Sequence, residues 1–286
     1  MVQLESHFLK VLLSLQSKST LKLSQFSVLS EEDLQKQLLH NPISTSFDKS
    51  TVIARFREAV HSYSDQPALL EGNNQLSYKE LDEQSNRFAQ YLIAEHGVMK
   101  SDLVGIKLER SSHMIVSVMG ILKTGAAYVP IDTDYPKERI SFMEQDSGCK
   151  VVIDQEHWDA FYLQRTLYSS KQLDIEITPT DAMYVIYTSG STGNPKGCVV
   201  NYEGVSNYLD WTEEYGRDIS YSEVDLFSSL SFDFTVSSLF GALSKGKALR
   251  IYVTKEDITR LLYKNGKWAV LHFFDQISHE KPRSIG

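Results

Sequence analysis

The run "YTSGSTGNPKG", Tyr187 to Gly197, places three glycines, four Ser/Thr hydroxyls and one lysine within eleven residues. It directly follows the apolar run "AMYVI". The chemistry such a composition suits is anion binding. Gly190, Gly193 and Gly197 let the backbone approach a ligand closely and adopt positive φ. Successive N–H groups in such a turn make a nest for phosphate oxygens. Thr188, Ser189, Ser191 and Thr192 add neutral donors, Lys196 adds a mobile cation, and Pro195 restricts the turn just before it. A solvated Gly/Ser connector has a similar composition. A connector seldom sits directly on a buried strand, however, whereas ligands of α/β sheets gather beyond the carboxyl ends of strands. A second candidate is Asp233 in "SFDFTVSSLF", a carboxylate at the head of an apolar helix, which from the residues alone reads as an N-cap.

Several other chemistries do not fit. The loop is not GxxxxGK[ST], because Gly190 and Gly193 are wrongly spaced and Lys196 precedes Gly197. A nearer literal match, "GALSKGK" from Gly241 to Lys247, is followed by Ala248 and lies between a helix and a strand, so it reads as a turn. The eight histidines show neither HxxxH nor HExxH spacing, so no metal site is expected. The two cysteines, Cys149 and Cys198, give no CxxC and no disulfide framework, which points to a reducing cytoplasm. Cys198, on the strand after the loop, reads as a small buried filler. A net charge of −8 argues against a protein that coats nucleic acid or an anionic membrane. No apolar run approaches the roughly 18 residues of a membrane span. The N-terminus lacks the basic region of a signal peptide.

The elements that must position these residues follow from periodicity. "HFLKVLLSLQS" has helical apolar spacing, and "LSEEDLQKQLL" opens with Ser30 and Asp33 in a capping-box arrangement. Polar stretches surround both, so residues 1–45 read as a helical linker. From Thr51 onward, helical and strand patterns alternate: "TVIARFREAVHSY", "PALLEG", a turn at "NN", then a long helix with Ser77 and Glu80 as capping box and Gly97 as C-cap. "LVGIKL", "AAYVPI" and "KVVID" are strands separated by the helices "HMIVSVMGILKTG" and "PKERISFMEQDSG". Such alternation implies an α/β fold, with a largely parallel sheet covered by helices on both faces. With 286 residues, 42% of them apolar, the chain has material for a substantial core.

"YVIYTSGSTGNPKG" resembles the signature phosphate loop of the adenylate-forming superfamily, which includes acyl-CoA synthetases, luciferases and the adenylation domains of nonribosomal peptide synthetases. The last group is singled out by "LKTGAAYVPIDTDYPKERI", which is similar to the second core motif of those domains. "LSYKELDEQSNRFAQYL" is similar to their first motif and "SFDFTVSSLF" to their fourth, in the family's order. The segment ahead of them resembles the last helix of a condensation domain and its linker.

The resemblance implies layered, mostly parallel sheets flanked by helices, the partial N-terminal core of an adenylate-forming enzyme. It implies a linker at 1–45, a partial adenylation domain at 46–252 and an unmatched tail at 253–286. The family's reaction joins an amino-acid carboxylate to the α-phosphate of ATP, with Mg2+, and then passes the acyl group to phosphopantetheine on a partner carrier domain. Thr188, Ser189, Gly190, Ser191, Thr192, Gly193 and Lys196 would hold the β- and γ-phosphates, with Lys196 the catalytic cation. Asp233 would pair with the substrate's α-ammonium, with Phe234 and Ser237 as pocket walls. An acyl- or aryl-CoA ligase has no such cation to neutralise, so Asp233 counts against that alternative. Tyr128, Pro130, Asp132, Tyr135 and Pro136 read as scaffold, Arg139 as the partner of a nearby carboxylate, and Tyr208 and Trp211 as packing residues. After Tyr252 none of the family's later motifs is recognisable. The expectation is therefore an N-terminal fragment of an amino-acid-activating domain, inactive alone, or else a non-catalytic product. Condensation and carrier domains are the expected partners.

Overall fold

Apolar strands and amphipathic helices assemble into two main sheets flanked by helices, the layered α/β arrangement that the resemblance implies. A computed structural model describes residues 2–17, 29, 33–36, 48–189, 194–214, 222–254, 263–264 and 267–268. The chain divides into two units, Met1–Phe47 and Asp48–Gly286. In the first, α1 (Val2–Ser17) leaves Phe8, Leu9, Leu12 and Leu13 exposed. His7 Nε2 meets the Asp33 carboxylate at 2.8 Å, and Lys10 donates to the Leu29 carbonyl. Ser30 of the expected capping box lies outside the described residues.

In the second unit, the helices start and stop where the sequence signals them. Thr51 accepts a hydrogen bond from the Ala54 amide and caps α2 (Val52–Tyr63), which buries Val52, Ile53, Phe56 and Ala59. Ser77 and Glu80 form a reciprocal capping box on α3 (Tyr78–His96), and Gly97 ends it at φ 60° in the left-handed region that favours glycine. Ser111 caps α4 (Ser112–Lys123), whose residues from Met114 to Lys123 are all buried. A helix apolar on every side belongs in the middle of a core.

The first sheet has the order β2-β1-β9-β8. Strands β1 (Pro67–Glu71) and β2 (Asn74–Ser77) form an antiparallel hairpin, while β9 (Ala248–Ile251) runs parallel to both β1 and β8 (Glu223–Leu226). The second has the order β5-β3-β4-β6-β7. In it β3 (Leu103–Ile106), β4 (Ala127–Pro130), β5 (Val151–Ile153) and β6 (Ala182–Thr188) are parallel, and β7 (Lys196–Asn201) returns antiparallel to β6. Helices α5 (Lys137–Asp146), α6 (Gln155–Gln164), α7 (Tyr202–Glu214) and α8 (Phe234–Leu243) complete the layers. A short ladder joins Tyr263–Lys264 to Lys267–Trp268. One continuous cluster of buried side chains, including Leu69 and Leu249 of the first sheet and Val104 and Tyr128 of the second, unites the two.

The stretch "GALSKGK" is indeed the turn from α8 into β9. Gly246 adopts φ +71°, and a Cβ there would collide with the Tyr63 ring. That residue closes a turn under an aromatic ring, a task that requires glycine on both counts.

Candidate functional site

The Gly/Ser-rich run joins the carboxyl end of β6 to β7. Thr188 and Lys196 are cross-strand partners, as are Ile186 and Cys198, and Tyr184 and Val200. Directly opposed residues of an antiparallel pair share a face, so the Thr188 and Lys196 side chains leave the hairpin on one face at the mouth of the loop. Both are exposed, as is Ser189. Gly190, Ser191, Thr192 and Gly193 lie outside the described residues.

Lys196 is the first residue of the return strand. Gly197 lies against neighbouring side chains. On the opposite face of the hairpin, a Cβ at Gly197 would stand 2.9 Å from Val185 Cγ1 and 3.4 Å from Tyr187 Cζ. The Tyr187 ring therefore lies over the glycine, and its hydroxyl donates to the Asp146 carboxylate at 2.7 Å at the end of α5. Burial and that carboxylate together push the Tyr187 hydroxyl pKa up. Cys198, expected to be buried, is exposed on the edge strand β7.

The second candidate region is the loop from β8 into α8, "FSSLSFD". It is held by its own hydroxyls. Thr235 Oγ1 donates to the Ser229 carbonyl at 2.6 Å and meets Ser228 Oγ at 2.6 Å, and the Ser231 amide donates to Ser229 Oγ at 3.2 Å. Asp233 adopts helical φ/ψ and makes no side-chain capping bond, so the N-cap role read from its position is not what its carboxylate does. It is exposed and acts electrostatically on Tyr184, whose hydroxyl is pushed up to about 12, first by burial and then by the Asp233 charge. Tyr184 shares its strand face with Thr188. Phe234 and Ser237 occupy the first turn of α8, three residues apart on one side. The Ser237 hydroxyl donates to the Phe234 carbonyl at 2.8 Å.

Carboxyl ends of strands from both sheets converge on this region. Arg110, just past β3, donates through Nε to the Tyr252 carbonyl beyond β9 and through Nη1 to the Phe227 carbonyl beyond β8. Ser229 donates to the Asp132 carboxylate, and Ser231 donates to the Pro130 carbonyl at 3.4 Å. Arg139 does not take the carboxylate partner expected of it. Its guanidinium lies 4.1 Å from the Tyr135 ring centroid, a cation–π contact, and reaches the Tyr187 carbonyl at 3.5 Å. Tyr208 and Trp211 stack on each other with centroids 6.3 Å apart, yet remain partly exposed on α7.

The sequence reading missed the serines of the Asp233 loop and, most of all, Lys123. That lysine is 1% exposed, and its ammonium donates to the Asp82 carboxylate at 2.7 Å, Ser85 Oγ at 2.7 Å, Asn86 Oδ1 at 2.8 Å and the Asp82 carbonyl at 3.0 Å. Burial pulls its pKa down to about 8, against the opposing pull of Asp82. The usable signal was a lysine at the end of a largely apolar helix, set against the polar "DEQSN" stretch of α3. Among the described residues, no group of three or more His, Cys, Asp and Glu side chains is arranged to hold a metal ion. No described helix is long and apolar enough to cross a membrane.

Residues 56–272 match a protein family described as AMP-binding enzyme. Bacitracin synthase 3 of Bacillus licheniformis is 34% identical over 271 residues, covering 91% of this chain and 4% of that protein. Tyrocidine synthase 3 of Brevibacillus parabrevis is 37% identical over 263 residues, 87% of this chain and 4% of that protein. The chain thus spans a small part of each of these relatives. Among solved structures, the nonribosomal peptide synthetase FmoA3 superimposes with a TM-score of 0.74 at 25% identity, covering 87% of this chain and 28% of FmoA3. The N-terminal subdomain of Klebsiella oxytoca NpsA shares the fold at a TM-score of 0.64 and 20% identity, and the chain covers 61% of it.

Proposed function

Because the chain belongs to the AMP-binding enzyme family, we propose that it forms part of an aminoacyl-adenylating site in a peptide synthetase: the part that holds the ATP phosphates and the substrate's ammonium. The observation that carries this reading is the pairing of exposed Thr188 and Lys196 across the β6–β7 hairpin, at the carboxyl end of a buried strand in a chain that matches the family. An amino acid activated on ATP needs both kinds of group. Its carboxylate oxygen attacks the α-phosphorus, the bond from that phosphorus to the bridging oxygen breaks, and pyrophosphate departs. Negative charge grows on the leaving group, where the Lys196 ammonium, the Thr188 and Ser189 hydroxyls and the N–H groups of Gly190 to Gly193 would stabilise it. The α-ammonium, drawn out of water, needs an anionic partner, and Asp233 has a carboxylate not engaged in capping its helix.

ATP would enter as its magnesium complex. The aminoacyl adenylate would then lose AMP to the thiol of phosphopantetheine on a carrier domain, with a condensation domain as the neighbouring partner. The names of the relatives support this setting. Phe234 and Ser237 would line the side-chain pocket. Both cysteines are free thiols, in keeping with a reducing cytoplasm.

The test is calorimetric titration of the purified chain with MgATP and with pyrophosphate, comparing wild type with Lys196→Ala. Losing one charge-assisted contact to phosphate should weaken binding on the order of tenfold or more. Because Lys196 is exposed, folding should be unaffected. Equal affinity in a properly folded variant would remove Lys196 from the site.

A further inference from the structure

The block "YVPIDTDYPKER" reads as scaffold in the sequence, yet it touches both halves of the proposed site. We propose that Asp132 and Arg139 are positioning residues that fix the loop carrying Asp233 relative to the hairpin carrying Thr188 and Lys196. This rests on the reading of the site given above.

The contacts run in one continuous chain. At the Asp233 end, Ser229 donates to Asp132 Oδ2. Asp132 sets the turn that follows β4: its Oδ1 accepts the Asp134 amide at 2.9 Å, and its carbonyl accepts the Tyr135 amide at 3.2 Å. That turn presents the Tyr135 ring to Arg139, 4.1 Å away, in the first turn of α5. Arg139 Nη2 reaches the Tyr187 carbonyl at 3.5 Å, one residue before Thr188. Asp146, at the far end of the same helix, accepts from the Tyr187 hydroxyl at 2.7 Å.

Helix α5 therefore meets Tyr187 twice, once at the main chain and once at the ring, while the turn leading into α5 is tied to Ser229. Arg139 Nε is buried without a partner in the structure. The guanidinium is thus held by its stack on Tyr135 and by the Tyr187 carbonyl rather than by a carboxylate. A planar cation suits that position, since it can stack and donate at once. The spacing between phosphate and ammonium groups matters because the attacking carboxylate must meet the α-phosphorus at near-attack distance. A rigid strap between the two loops is a direct way to set it.

Amide hydrogen exchange on the full chain tests the proposal, comparing wild type with Asp132→Asn and Arg139→Gln. Each substitution is expected to speed exchange in both 182–189 and 227–236, by roughly tenfold where a charge-assisted bond is lost. The β1–β2 hairpin, remote from the strap, should keep its protection. In the double variant the increase should fall short of the product of the two single effects, as for residues in one network. Effects confined to the loop each residue touches, a simple product in the double variant, or equal loosening of β1–β2 would each overturn it.

MgATP affinity supplies a second readout. Asp132 contacts the Asp233 loop and not the hairpin, so a purely local role would leave nucleotide binding unchanged in Asp132→Asn. The strap predicts weaker binding in that variant, by about fivefold. If wild type binds no MgATP, the phosphate-site reading fails, and the exchange experiment still decides whether the two loops are coupled.

Discussion

The ring of Tyr187 lies over Gly197, close enough that a Cβ on the glycine would meet Val185 Cγ1 at 2.9 Å and Tyr187 Cζ at 3.4 Å. Both neighbours are buried and cannot swing aside freely. Gly197→Ala should therefore destabilise the domain by about 1–3 kcal/mol through overpacking. Urea denaturation followed by tryptophan fluorescence measures it. An unchanged midpoint would show that the ring does not rest on the glycine.

Lys123 should be a stability determinant rather than a catalyst. Lys123→Met removes the cation from a network in which the Asp82 carboxylate keeps some access to water. The expected loss is about 2–4 kcal/mol. Its pH signature has a definite sign. The folded-state pKa lies near 8 against an ordinary 10.5, so between those values the unfolded chain holds the proton more tightly. The stability contributed by this group then rises with pH from about 8 to 10.5, by about 3 kcal/mol across the window, and is level below it. The difference between wild type and Lys123→Met, followed by denaturation across pH 7–10.5, isolates the effect. A difference that stays constant with pH would contradict it.

Arg110 ties the end of β3 to the ends of β8 and β9 through two carbonyls. Arg110→Ala should cost about 2–3 kcal/mol, and Arg110→Lys should recover only part of that, because an ammonium cannot reproduce the two-pronged geometry. Thermal denaturation of the three proteins checks the order. Full recovery by lysine would mean that charge, not the fork, holds the seam.

Asp233 offers a way to separate ligand recognition from helix capping. With no side-chain cap in place, Asp233→Ala should shift stability by no more than about 0.5 kcal/mol, whereas loss of a true cap costs about 1 kcal/mol. In a full synthetase module carrying the same change, the preference for an amino acid over its deaminated analogue should collapse. A variant that melts early and still discriminates would restore the capping role.

The two thiols should differ in reactivity. Cys198 is exposed on the edge strand, while Cys149 is half-buried and burial pushes its thiol pKa up. Alkylation at pH 8 followed by peptide mass mapping should label Cys198 well ahead of Cys149. Labelling in the reverse order would place Cys198 under cover.

The bounds of α3, the turn at "NN" and the alternation of strands with helices as far as β5 were legible in the chain, because they depend on local signals. Ser77 and Glu80 cap α3 through bonds within one turn, and Gly97 ends it by a backbone preference of its own. The Gly/Ser run was legible as a candidate anion site for the same reason: its composition and its place after an apolar strand are properties of neighbouring residues. What lay beyond reach depended on distant partners. Nothing local says that Leu69 pairs with Leu249 to build a second sheet, that Ser229 reaches Asp132, or that Lys123 closes on Asp82 in the core. Nor does anything local say that Gly197 must leave room for Val185 and Tyr187 across the hairpin. The Asp233 carboxylate was legible as a charge ahead of a helix. Only the tertiary structure shows that this carboxylate makes no side-chain capping bond to its helix. Local preferences choose the elements, whereas burial and long-range pairing choose which side chains meet.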